Sequence, residues 1–302
     1  MLSRFAVLGL LAVASCSGPP SHSMAEAPFA LADATVVPLA ADDRPVAEVR
    51  LDGSPPRRFL IDTGAEISLV SSACARELQL SVRPYAGSFR TIGSTGDERE
   101  LRDFAAVDRL VLGELVVRSC RITVVDDEAV TNAAIDGILG QDLLSRLTIA
   151  LDMRERALHL VPSTGKEAVR AYLEATRIGV GAWASAPFDV ESTPVLRLPV
   201  EGQEQPLPLW IDTGAQGTTL PREAILALHA TPVGTQTSEG IGGSRELAKH
   251  RIEGFDLFGL KFGLEVTESR TGKGLLGMDV LSQLVVVLDG PARTLWLHHR
   301  GG

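Results

Sequence analysis

Hydrophobic residues along this chain follow two rhythms, and both belong to β-structure. Val46 to Leu51 alternates apolar and polar positions, enters the turn cluster Asp52-Gly53-Ser54-Pro55-Pro56, and is followed by the apolar run Phe59-Leu60-Ile61. Alternation marks a half-buried strand and a short apolar run a buried one, so the pair predicts a hairpin. Leu196 to Val200, Glu201-Gly202-Gln203 and Leu207 to Ile211 repeat that plan. Leu147 to Leu151 with Ala157 to Val161, and Leu284 to Leu288 with Thr294 to Leu297, read as closing hairpins around Met153-Arg154-Glu155 and Gly290-Pro291-Ala292. Helical signals are scarce. Short helices are expected at Ser72 to Leu78 and at Pro221 to Leu228, where Pro221 suits a first helical turn. Lys166 to Arg177 has helix-forming composition, and Gly179 and Gly181 break it.

The plan repeats because the sequence does. Phe59-Leu60-Ile61-Asp62-Thr63-Gly64-Ala65 recurs 150 residues later as Leu209-Trp210-Ile211-Asp212-Thr213-Gly214-Ala215. Gly137-Ile138-Leu139-Gly140-Gln141-Asp142-Leu143-Leu144-Ser145 returns as Gly274-Leu275-Leu276-Gly277-Met278-Asp279-Val280-Leu281-Ser282, and a short helix is expected after each. Between these motifs, Ile92-Gly93 before Arg99-Glu100-Leu101 is matched by Ile241-Gly242 before Arg245-Glu246-Leu247, with a shorter tip in the second copy. Three elements in one order predict two lobes, 31–162 and 186–302, joined by a linker over 163–185, each large enough to bury a core.

The repeated D-T-G carries the chemistry. One such tripeptide is an ordinary turn. Here three apolar residues deliver each aspartate from a buried strand, where an ionised carboxylate costs several kcal/mol unless something compensates. Gly64 and Gly214 lack Cβ, so the backbone can fold closely around the carboxyl and aim N–H groups at it. Two such turns in one chain imply a pair, and two adjacent carboxyls share a proton because both cannot ionise.

The order of apolar-apolar-Asp-Thr-Gly-Ala, a Gly-rich hairpin, and apolar-Leu-Gly before a helix resembles the retropepsin-like aspartic peptidases, over most of both lobes. The resemblance implies an all-β fold of two tandem retropepsin-like β-barrel lobes related by pseudo-two-fold symmetry, making an intramolecular pseudo-dimer that works as a monomer. It implies Asp62 and Asp212 as the catalytic dyad, supported by Thr63, Gly64, Ala65, Thr213, Gly214 and Ala215, with the threonines hydrogen-bonded across the lobe interface. It implies an endopeptidase that cleaves an extended peptide or protein substrate through an activated water, with no cofactor and no metal. Gly93-Ser94-Thr95-Gly96 and Gly240-Ile241-Gly242-Gly243 would be flap tips over the substrate, which would bind as an added strand. Glu66 and Gln216 stand where retroviral members carry an aspartate. Gln141-Asp142 and Met278-Asp279 replace their Arg-bearing helix start, and Asp142 and Asp279 suit capping or dipole roles at helix N-termini. Ala65 and Ala215 offer no hydroxyl where many pepsin-like relatives carry Ser or Thr, which predicts a pH optimum nearer weakly acid to neutral.

Composition bears on the rest. Over 302 residues, 45% are hydrophobic and 22% charged, and the net charge is −9, so a globular core is expected and nucleic acid is excluded as a partner. The six histidines lack H-E-x-x-H spacing and there is no G-x-S-x-G. Residues 1–15 read as an export signal, with Arg4 ahead of the apolar Phe5 to Val13. Val13-Ala14-Ser15-Cys16 resembles the lipobox of bacterial lipoproteins, which would acylate Cys16 and anchor the chain in a membrane; cleavage after Ala14 also fits. Ser17, in place of an aspartate, favours the outer membrane by the same resemblance, with the protein on the periplasmic side. Residues 16–30 read as a flexible tether. Cys74 and Cys120 would then share an oxidising compartment, either as a disulfide or as two buried thiols. A rival to the enzyme is an envelope lipoprotein that captures peptides on a peptidase-like shell without cutting them.

Overall fold

The computed structural model describes residues 10–11, 24–93, 98–126, 130, 134–162, 166–178, 183–190, 193–201, 203–240, 243–269 and 271–299. It is a mostly β protein with few short helices, built as two lobes and a sheet that both lobes share.

In the first lobe the alternating strand Val46–Leu51 pairs antiparallel with Arg57–Ile61. Gly137–Leu139 then lies parallel to Arg57–Ile61 and antiparallel to Leu69–Ser71, which is parallel to Leu115–Val125. Leu115–Val125 joins Glu98–Leu112, and Glu98–Leu112 returns to Val46–Leu51, closing a six-stranded barrel. Period-two alternation divides its side chains. Phe59, Ile61 and Leu139 enter the main core, and Leu60 and Ile138 pack on the opposite side with Val46 and Leu69.

The second lobe repeats the order. Pro194–Leu198 pairs with Leu207–Ile211, which is parallel to Gly274–Leu276, and Thr219–Leu220 follows with Leu260–Glu268, Gly243–Leu257 and Thr231–Gly240. Among the described residues this sheet stays open. Helices Ser72–Glu77, Gln141–Leu144, Arg222–Ala227 and Met278–Leu281 form where the pattern placed them. Pro221 sits one position earlier than expected, as the extended residue preceding the helix (φ −66°, ψ 154°).

The closing hairpins do not stay with their own lobes. Thr148–Asp152 pairs with Leu284–Asp289 in register Thr148↔Asp289 to Asp152↔Val285, at the centre of a six-stranded sheet. Ala157–Val161 and Thr35–Pro38 extend it on one side, Thr294–His299 and Ala184–Pro187 on the other. Every residue of the two central strands is buried, so neither hairpin could be an exposed edge. Helix Lys166–Thr176 covers one face, with Val169 and Leu173 against Ala150, Val285 and Val287.

The N-terminal reading needs correction at its tether. Met24 is fully buried, Phe29–Ala30 pairs with Val116–Val117, and Arg146 donates to the Met24 and Ala27 carbonyls at 2.8 Å, so 24–30 is docked on the first lobe. Burial of Met24, the Phe29–Ala30 ladder and the two Arg146 hydrogen bonds together hold the strap in place. Leu10–Leu11 lies antiparallel to Ile92–Gly93. Cys16 lies outside the described residues, and Cys74 and Cys120 are both buried free thiols, pushed up by burial to about 11 and about 12.

Candidate active site

Each aspartate leaves the end of a buried strand, and its own loop returns to hold it. The Gly64 and Ala65 N–H groups donate to Asp62 Oδ1 at 2.8 and 3.0 Å; those of Gly214 and Ala215 donate to Asp212 Oδ1 at 2.9 and 3.0 Å. The two loops are locked to each other by their threonines. Thr63 N–H donates to Thr213 Oγ1 (3.0 Å) and Thr213 N–H to Thr63 Oγ1 (3.1 Å). Each hydroxyl then donates across the interface, Thr63 Oγ1 to the Ile211 carbonyl and Thr213 Oγ1 to the Ile61 carbonyl, both at 2.6 Å. All four bonds cross between lobes and are buried, which fixes the relative position of the two aspartates.

Gly64 shows how near the carboxyls lie. A Cβ at that position would fall 2.3 Å from Asp212 Cγ. Asp62 and Asp212 are both buried, and each bears on the other's titration. The Oδ2 atom of each receives no donor from the described residues, so a hydrogen bond between them needs one shared proton. Burial, and secondarily the charge of Asp212, holds Asp62 well above the usual carboxylate range. Burial raises Asp212 to about 6, against the backbone N–H groups of Ala215 and Gly214, which pull it down.

The apolar-Leu-Gly segments brace these loops from below. Gln141 and Asp142 N–H groups donate to the Ala65 and Glu66 carbonyls, and Met278 and Asp279 to those of Ala215 and Gln216, at 2.8 to 3.1 Å. The approach is close: a Cβ on Gly140 would lie 2.7 Å from the Ile67 carbonyl and one on Gly277 2.6 Å from that of Gly217. Asp142 and Asp279 do more than act at helix ends. Asp142 Oδ1 accepts from Ser68 N–H (3.0 Å) and Oγ (2.6 Å), and Asp279 accepts from Thr218 N–H (3.0 Å) and Oγ1 (2.7 Å). Ser68 Oγ and Thr218 Oγ1 in turn accept from Gly140 and Gly277 N–H. Ser68 and Thr218 escaped the sequence reading, although a hydroxyl six residues after each aspartate was visible. Gln141 also escaped it; its Nε2 donates to the Thr63 carbonyl at 3.0 Å, where the second lobe has Met278.

The expected flaps are hairpins. Ser81–Gly93 pairs with Glu98–Leu112, and Thr231–Gly240 with Gly243–Leu257, so Gly93 ends one arm and Gly243 opens another. Ser94, Gly96, Ile241 and Gly242 lie outside the described residues.

Two backbone-cradled carboxyls, brought together on a pseudo-two-fold axis by reciprocal threonine bonds, define an aspartic-peptidase-like fold. The sequence model for aspartyl protease matches residues 47–143 and 197–280, once in each lobe, and the chain belongs to that family, in its retropepsin-like form. A comparison with curated proteins finds no match.

Proposed function

We propose that the protein is an aspartic endopeptidase acting on extended polypeptides. The observation that carries this reading is the buried pair Asp62 and Asp212, each held at Oδ1 by the backbone N–H groups of its own loop and brought together by the reciprocal threonine bonds. The ionised member takes a proton from a water between the carboxyls, and that water attacks the peptide carbonyl. The protonated member donates to the carbonyl oxygen as negative charge develops there. The tetrahedral adduct then collapses, the C–N bond breaks, and the nitrogen leaves with a proton from the dyad. No covalent enzyme intermediate forms.

Incubating the purified protein with a diverse peptide pool tests this. Cleavage is expected, and Asp62→Asn and Asp212→Asn each reduce it by about 10³-fold or more. Cleavage that survives either substitution, or capture without products, refutes the enzymatic reading. Because burial raises both carboxyls, activity should peak in the weakly acid to neutral range and fall as the shared proton is lost at higher pH. A maximum below about pH 3 contradicts that account. The proposal includes export and acylation of Cys16; mass analysis of the mature N-terminus decides it, and a chain cleaved after Ala14 with an unmodified Cys16 refutes it.

A further inference from the structure

The two flap arms join their lobes differently. In the second lobe Thr231–Gly240 follows Gly243–Leu257 closely, with one residue, Val233, in excess between Pro232↔His250 and Gly234↔Lys249. In the first lobe the ladder breaks wider. Pro84↔Asp103 is succeeded by Phe89↔Leu101, so Tyr85, Ala86, Gly87 and Ser88 stand opposite Arg102 alone. A bulge of that size lets the strand beyond it change direction unless a side chain pins it.

Tyr85 is that pin. Its hydroxyl lies 2.8 Å from Thr123 Oγ1, and its ring rests on Phe104 with centroids 5.0 Å apart. The Arg121 guanidinium lies 4.5 Å from the centroid of the same Phe104 ring. Phe104 and Thr123 are partners on one rung of Glu98–Leu112 and Leu115–Val125, so ring and hydroxyl fix Tyr85 at two points of one surface. Burial pushes the phenol above its ordinary range, against the Thr123 bond and with a further push from the Asp142 charge, so the hydroxyl stays neutral.

Thr123 does not end the path. It is 3% exposed, and its N–H donates to the Ser68 carbonyl at 3.3 Å. Ser68 is the residue whose N–H and hydroxyl hold Asp142 and whose Oγ takes the Gly140 N–H, and both belong to the segment that braces the Asp62 loop. The lower half of this path is common to both lobes, since Thr267 N–H donates to the Thr218 carbonyl at 3.1 Å. The upper half is not. The place equivalent to Tyr85, 150 residues on, holds Thr235, whose hydroxyl turns to Glu246 on its own hairpin.

We propose that Tyr85 is a positioning residue: its hydroxyl ties the first lobe's arm, at the bulge where it leaves the barrel, to the brace beneath Asp62, so that substrate held by this arm is aligned with that carboxyl. This rests on the peptidase reading above and adds to it a residue that acts in one lobe only.

Tyr85→Phe keeps the ring on Phe104 and removes the hydroxyl. Loss of one buried neutral hydrogen bond should lower kcat/KM about fivefold, with the fall in kcat, because misalignment against Asp62 slows the chemical step. Thr123→Val should do the same, Thr123→Ser should keep most of the native rate, and the double variant of Tyr85→Phe with Thr123→Val should be no slower than either alone. Thr235→Val, at the matching place in the second lobe, should leave kcat unchanged. A role in stability alone would lower the unfolding midpoint and leave kcat as it is, which overturns the proposal. So does a loss confined to KM, or losses that multiply in the double variant. Should Tyr85→Phe not fold, the two Thr123 variants decide. If the native protein cuts nothing, the peptidase reading fails, and amide hydrogen exchange reads the tie by itself. Tyr85→Phe should then speed exchange about fivefold over 89–93 and at Gly140, and leave 235–240 unchanged. Equal rates at those first-lobe amides in native and variant protein overturn it.

Discussion

The two lobes agree at the residues that touch the carboxyls and differ in the positions around them. Both have Thr, Gly and Ala after the aspartate, a hydroxyl six residues on, and an Asp on the following helix that binds it. They part at Leu60 against Trp210, Gln141 against Met278, Arg44 against Thr193 and Glu66 against Gln216. The first lobe closes its barrel through Arg50↔Val111 and Leu51↔Leu110, whereas the second leaves that pairing unmade among the described residues. The lesson is one of tolerance. Holding two buried acids against each other constrains their geometry tightly, so both copies solve it alike. Pockets carry no such constraint, and a single-chain protein can change one half without the other.

Substitutions can break this comparison at graded depth. Outside the aspartates themselves, Gly64→Ala should be the most damaging. Its methyl meets the Asp212 carboxyl, so activity should fall about 100-fold or more and stability by about 3 kcal/mol, measured by peptide turnover and urea unfolding. Wild-type behaviour would mean the carboxyls are not packed as described. Thr63→Val and Thr213→Val each remove a donor and an acceptor from the buried inter-lobe bonds. Each should cost about 2–3 kcal/mol, with Ser substitutions recovering most of it. Unequal losses would show that the grip is not symmetric.

The next test concerns pH. A carboxyl raised by folding to about 6 holds its proton more tightly in the native than in the unfolded chain, where the value is about 3.9. Its contribution is therefore fully present below about pH 4 and is lost as pH rises through about 6. Asp212→Asn removes that loss, so the variant should gain on the order of 2 kcal/mol over the native protein at pH 7 and almost nothing at pH 4. Thermal unfolding at the two pH values checks the sign. Gln141→Met gives the first lobe the second lobe's residue; losing one bond to the Thr63 carbonyl should cost about 1 kcal/mol. An unchanged unfolding midpoint would show that this bond contributes little.

Strand placement and the loops around Asp62 and Asp212 were legible because they depend on period-two patterning and on motifs that occur twice. The shared central sheet was not. A fully buried strand such as Thr148–Asp152 shows its partner no distinguishing face, and hairpin-local pairing is the simpler reading of the same residues. The 24–30 strap escaped for the opposite reason: its composition is that of a linker, and what orders it is long-range, namely the burial of Met24, the Phe29–Ala30 ladder and the Arg146 bonds to its carbonyls.

The central sheet has a consequence for control. Its middle rung joins Thr148–Asp152 to Leu284–Asp289, so prising the halves apart means tearing main-chain ladder out of the interior. A catalyst assembled from separate subunits can be switched off by dilution; one written on a single strand of peptide has no dissociation constant between its halves. On the proposed peptidase reading, restraint would act through access to the cleft rather than through how much of the protein is present.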